Sequence, residues 1–191
     1  MVVLCGSSTG GNLLLAASQD SRLLQKVTGV AAIYPPIDLA EDGEAKMARR
    51  PDPTVADFIG DTYASISRLY FDPARSPSMT DVRVSPAYFA ERKALPSQIL
   101  LIGAEHDMFC HEDETMADKL AEMAGGVKAG TATGWKAWGV QWSKIKGQPH
   151  AFDAFPAKTP VMEASRLAAV DTMFSVVSEW LIDVFTAGAS K

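Results

Sequence analysis

At 191 residues, with 47% hydrophobic and 21% charged, the chain has the length and balance of a globular protein that buries one substantial core. A net charge of −5 offers no basic face to a phosphate backbone, so nucleic acid is excluded as the expected partner. No apolar run reaches transmembrane length, which argues against stable membrane insertion. Cys5 and Cys110 lack framework spacing and read as two unpaired thiols of a cytoplasmic protein.

The first predicted element is a strand at about residues 1–5, the apolar run Val2-Val3-Leu4-Cys5. It enters Gly6-Ser7-Ser8-Thr9-Gly10-Gly11 and is followed by the helix-forming run Leu13-Leu14-Leu15-Ala16-Ala17. That is strand, sharp turn, helix, with Ser8 at the apex and Gly6 and Gly10 expected where only small neighbours fit. Such a turn presents Ser8 Oγ beyond the strand end. The free N–H groups of the helix start would stabilise negative charge developing there. The pattern suggests a nucleophile for acyl transfer; a purely structural Gly-rich turn is the alternative.

A second strand at about 28–34 ends in Tyr34-Pro35-Pro36. A polar stretch from Leu39 to Pro53, a short helix around Val55 to Tyr70 and a Pro/Ser-rich return through Ser76-Pro77-Ser78 follow. Residues 39–80 form a cap-like or pocket-forming excursion. Phe58, Ile59, Tyr63, Ile66, Leu69, Tyr70 and Phe71 either line a pocket or pack the excursion onto the domain.

A third strand at about 98–104 runs into Glu105-His106-Asp107, and a fourth at about 138–145 precedes Gly147-Gln148-Pro149-His150-Ala151-Phe152. Serine, aspartate and histidine thus each follow a strand, in the chain order a nucleophile, an orienting acid and a base would take in such a fold. The segment His106 to Glu114 gathers two histidines, Cys110 and several carboxylates. His106 and His111 are five apart and do not share a helix face, so no metal site is expected, and Glu112, Asp113 and Glu114 suit a helix first turn. A last helix at about 161–185 carries Leu167, Val170, Phe174, Val177, Leu181 and Val184 as a core-facing stripe, with a dimer seam as the alternative; Trp180 is offset and expected to be exposed. The whole reads as an α/β fold in one domain, 1–191, a parallel sheet of about four strands flanked by helices.

The motifs resemble those of the hormone-sensitive-lipase-like carboxylesterases of the α/β-hydrolase fold. Gly6-Ser7-Ser8-Thr9-Gly10-Gly11-Asn12 matches that family's G-D-S-A-G-G-N turn, with Ser7 and Thr9 replacing the usual Asp and Ala. Ile33-Tyr34-Pro35, Ser85-Pro86, Leu95-Pro96, Glu105-His106-Asp107 and Gly147 through Phe152 match further family signatures. The resemblance implies a serine ester hydrolase with a Ser8–His150–Asp107 triad. The backbone N–H of Thr9 would serve in the oxyanion hole, the substrate would be a small short- to medium-chain ester, and no cofactor or metal would be needed.

Relatives carry strands, a cap segment and an H-G-G-G oxyanion loop ahead of the nucleophile strand, so the chain resembles the C-terminal part of such an enzyme. Loss of an oxyanion donor typically lowers turnover by about a hundred- to a thousand-fold, so weak or no activity is expected. Val2–Cys5 would become an exposed sheet edge open to self-association. A small-molecule-binding or inactive fragment of the same fold is the alternative function.

Overall fold

The computed structural model describes residues 1–57, 59–71, 74 and 78–189. In chain order the principal elements are β1 (Val2–Ser7), α1 (Thr9–Ser18), α2 (Ser21–Leu24), β2 (Val27–Ile33), α3 (Gly43–Ala48) and α4 (Tyr63–Tyr70). They continue with β3 (Gln98–Ala104), α5 (Cys110–Met123), β4 (Ala129–Thr131), β5 (Gly134–Ala137), β6 (Val140–Ile145) and α6 (Pro160–Ala189). The excursion helix is shorter than predicted, and α3 lies within the stretch read as merely polar. The predicted Phe58 and the Ser76-Pro77 part of the return lie outside the described residues.

The strands form one sheet in the order β1-β2-β3-β6-β5-β4. The four expected strands run parallel, with Leu4 opposite Val30, Val30 opposite Ile99 and Ile99 opposite Val140. Two short antiparallel strands, β5 and β4, extend the β6 edge, so the sheet has six strands and is mixed. The Trp138-Gly139 dipeptide was expected to begin the fourth strand. Instead it is the two-residue turn between β5 and β6, with φ of 36° and 80°, the left-handed pair that matches the twist of a hairpin. At the other edge, β1 pairs with β2 and its residues are exposed or half-buried.

Side chains alternate across the sheet with period two. Val30, Ala32, Ile99, Leu101, Val140 and Trp142 face α1 and α5, where Leu15, Met116, Ala117 and Leu120 complete one core. Ala31, Ile33, Leu100 and Ile102 face α6 and pack on Met173, Val177, Trp180 and Val184. Covering both faces explains why β2 and β3 read as nearly continuous apolar runs.

The α6 register corrects the predicted stripe. Val177 and Val184 are buried, but Phe174 is 56% exposed and Leu167 is exposed too, whereas Trp180 is only 3% exposed. Trp180 is accommodated because β2 has glycine beneath it: a Cβ at Gly29 would lie 2.9 Å from Trp180 Cη2. Among the described residues, no helix is long and apolar enough to cross a membrane.

Candidate active site

Parallel strands deliver their following loops to one edge of the sheet, so the segments after β1, β3 and β6 collect at the same place. Ser8 stands between β1 and α1 with φ 51° and ψ −129°, a left-handed conformation that a non-glycine residue adopts only at an energetic cost. Its N–H donates to Ile33 O (2.8 Å), and its carbonyl accepts from Asn12 N (3.2 Å), which fixes the turn on both sides. Of the two glycines predicted to be required, Gly6 is crowded: a Cβ there would lie 2.8 Å from Leu14 Cδ1. Gly10 faces open space. The second close approach falls instead at Gly11, 3.0 Å from Pro35 Cβ.

The three residues singled out from sequence come together. Ser8 Oγ lies 2.9 Å from His150 Nε2, and His150 Nδ1 lies 2.7 Å from Asp107 Oδ2. The other Asp107 oxygen accepts the Phe109 N–H at 3.0 Å, which orients the carboxylate. With Nδ1–H donating to Asp107, Nε2 presents its lone pair to the serine hydroxyl. Asp107 and His150 are buried. Burial pushes the Asp107 carboxyl above its ordinary range, and the hydrogen bond from His150 opposes that shift.

The acid and histidine loops are cross-tied. Glu105 N donates to Ile145 O (2.9 Å), His106 N to Gln148 O (2.9 Å), and Gly147 N to the Glu105 carboxylate (2.8 Å). From the excursion, Arg50 Nε donates to His106 O (2.7 Å), and Asp57 accepts Met108 N (2.8 Å), so these two side chains buttress the loop bearing Asp107. Asn12, buried in the first turns of α1, donates to Pro36 O (2.6 Å) and Val84 O (2.9 Å) and accepts from the Tyr70 hydroxyl (2.9 Å).

A cavity of about 50 Å³ adjoins Ser8 and Thr9, the first residue of α1. Ile59, Tyr63, Ile66 and Tyr70 from the predicted set line it, together with Leu39 and Phe109. Leu69 is 88% exposed and Phe71 packs against the excursion core, so neither belongs to the lining. Tyr34 and Phe109 pack against the histidine ring without having been assigned a role from sequence; Tyr34 carries a signal, since a tyrosine before two prolines ends the strand beside the Ser8 turn. The segment after Asp107 holds no cluster of three metal-ligating side chains among the described residues. Glu112 and Asp113 lie in the first turn of α5, as their spacing suggested, and both are buried there.

A family model described as alpha/beta hydrolase fold matches residues 1–153. A search of curated proteins found no match. Among solved structures, an esterase from the archaeon Pyrobaculum calidifontis is 26% identical with a TM-score of 0.61, the match covering 92% of this chain and 52% of that one. Brefeldin A esterase, a bacterial homologue of human hormone sensitive lipase, is 23% identical with a TM-score of 0.66, covering 96% of this chain and 47% of its own. A thermostable carboxylesterase cloned from a metagenomic library is 23% identical with a TM-score of 0.59, covering 87% and 52%. The chain therefore spans about half the length of these structures. The family model matches residues 1–153, most of the chain, so the chain belongs to the alpha/beta hydrolase fold family.

Proposed function

We propose that Ser8, His150 and Asp107 hydrolyse the carboxylic ester bond of a small molecule through an acyl-enzyme. His150 Nε2 takes the Ser8 proton as Oγ attacks the ester carbonyl, and the Thr9 N–H at the start of α1 receives the developing oxyanion. Collapse of the tetrahedral intermediate expels the alcohol, which leaves with the proton from His150. Water, deprotonated by the same imidazole, then attacks the acyl-serine; the carboxylic acid departs and Ser8 regains its proton. Asp107 keeps the imidazole in the required tautomer and stabilises its cationic form. The apolar cavity beside Ser8 suits a short- to medium-chain group.

The observation that carries this reading is the unbroken pair of hydrogen bonds, 2.9 Å from Ser8 Oγ to His150 and 2.7 Å from His150 to Asp107. Likeness to structures named as esterases supports the reaction class. The test is hydrolysis of p-nitrophenyl acetate and butyrate by the purified chain. With the Thr9 N–H as the named oxyanion donor, slow but saturable release of nitrophenol that falls to background in Ser8→Ala is expected; undiminished hydrolysis by Ser8→Ala overturns the reading.

A further inference from the structure

One hydrogen bond at each ring nitrogen holds the imidazole, but the loop that carries it is strained. Ala151, directly after His150, has φ 55°, a conformation that a residue with a Cβ holds only when its surroundings insist. Three residues past His150, the Asp153 carboxylate accepts a hydrogen bond from the Tyr34 hydroxyl. Tyr34 is tied into the sheet. It is buried, it sits at φ 39° directly after β2, and its N–H donates to Ile102 O on the neighbouring strand (2.6 Å).

The same side chain touches the imidazole. The Tyr34 and His150 ring centroids lie 4.9 Å apart at 66°, an edge contact, and Phe109 makes a second at 5.4 Å and 83°. Phe152 packs on Tyr34 at 6.0 Å, and its carbonyl accepts from Arg166 Nη1 of α6 (3.0 Å), which holds the loop from behind. Burial and the Asp153 carboxylate both push the Tyr34 phenol above its ordinary range, so the hydroxyl stays a donor. Tyr34 therefore touches both the histidine ring and the histidine loop.

We propose that Tyr34 is a positioning residue for His150, its hydroxyl latched on Asp153 to pin the histidine loop and its ring edge holding the imidazole in line with Ser8 Oγ. The inference rests on the hydrolytic reading above. Tyr34→Phe removes the latch while keeping the ring, and it strands no buried acceptor because Asp153 is half-exposed.

The experiment measures kcat and KM on p-nitrophenyl acetate, thermal melting, and the low-field proton resonance of the His150–Asp107 hydrogen bond, for the wild type, Tyr34→Phe, Asp153→Asn and Asp153→Ala. Tyr34→Phe is expected to lower kcat about tenfold, the rate equivalent of one hydrogen bond, and to broaden the low-field resonance, with KM within about twofold and melting unchanged. Asp153→Asn, which keeps an acceptor oxygen, should retain more activity and a sharper resonance than Asp153→Ala. Wild-type kcat and an unaltered resonance in Tyr34→Phe, or equal losses in the two Asp153 variants, overturn the proposal. Full activity in Ser8→Ala sinks the hydrolytic reading instead, while the resonance still reports on whether Tyr34 orders the imidazole.

Discussion

Lys46 of α3 and Glu112 of α5 form an ion pair whose side chains are only 1% and 6% exposed, with the ammonium over the rings of Tyr63 and Phe109. Glu112 also accepts the N–H groups of Ile37 (2.8 Å) and Asp38 (3.2 Å), so one carboxylate joins the excursion, the turn after β2 and the helix that follows the acid loop. Phe109, whose ring lies under the Lys46 ammonium, also meets the His150 ring edge-on. Removing one partner leaves the other charge buried alone. Lys46→Met is expected to destabilise the chain by about 3–5 kcal/mol, and adding Glu112→Gln should recover part of that loss, measured by urea unfolding.

The same pair sets a pH dependence. Burial pushes the Glu112 carboxyl up to about 7, with Lys46 and the two backbone donors opposing, so without Lys46 it rises further. A carboxyl whose folded pKa lies above its unfolded value binds a proton in the native state that the unfolded chain releases, and stability falls as pH rises from the unfolded pKa through the folded one. The deficit of Lys46→Met should therefore be larger at about pH 8 than at about pH 5.5. An equal deficit at both would contradict this.

Asp113, one residue further along α5, is fully buried, and neither of its carboxylate oxygens has a hydrogen-bond partner among the described residues. Burial raises its carboxyl well above the ordinary range, and the charges of Glu112 and Asp107 add to the rise. The sign is the same as for Glu112: its presence costs stability increasingly as pH climbs above the unfolded carboxylate value. Asp113→Asn should raise unfolding free energy by about 1–3 kcal/mol at about pH 8, with the gain shrinking toward about pH 4.

Trp180 and Phe174 separate the core-facing and outward faces of α6. Trp180→Ala empties a site packed against Gly29 and is expected to cost about 3–5 kcal/mol. Phe174→Ser, at a position 56% exposed, should shift stability by no more than about 0.5 kcal/mol. Both are read from denaturant midpoints.

That contrast shows where sequence reading stops. The turn around Ser8, the strands around Ala31 and Leu101 and the loops bearing Asp107 and His150 were legible because each is written in a few consecutive residues: an apolar run, a glycine, a proline, a polar end. The register of α6 was not, because Leu167 and Phe174 satisfy helical spacing as well as Met173 and Trp180 do. What decides between them is Gly29, distant in the chain, which makes room for an indole. The β4–β5 hairpin escaped notice since its strands are short and β4 is exposed throughout, with no apolar alternation to announce it. Lys46 looked like one more charge in a polar stretch; only the fold brings Glu112 to it.

Asp107→Asn tests the acid's role without removing bulk. An amide nitrogen facing His150 Nδ1 favours the tautomer that carries its proton on Nε2, where it can no longer accept from Ser8. The expected fall in kcat is about ten-thousandfold with little change in melting temperature.

The most direct measurement is peptide mass spectrometry of the chain after reaction with a fluorophosphonate, which captures only an activated serine. The account predicts an adduct on the peptide carrying Ser8, absent in Ser8→Ala and formed far more slowly in His150→Ala. An unlabelled Ser8 in the folded chain, or labelling indifferent to loss of His150, would contradict it.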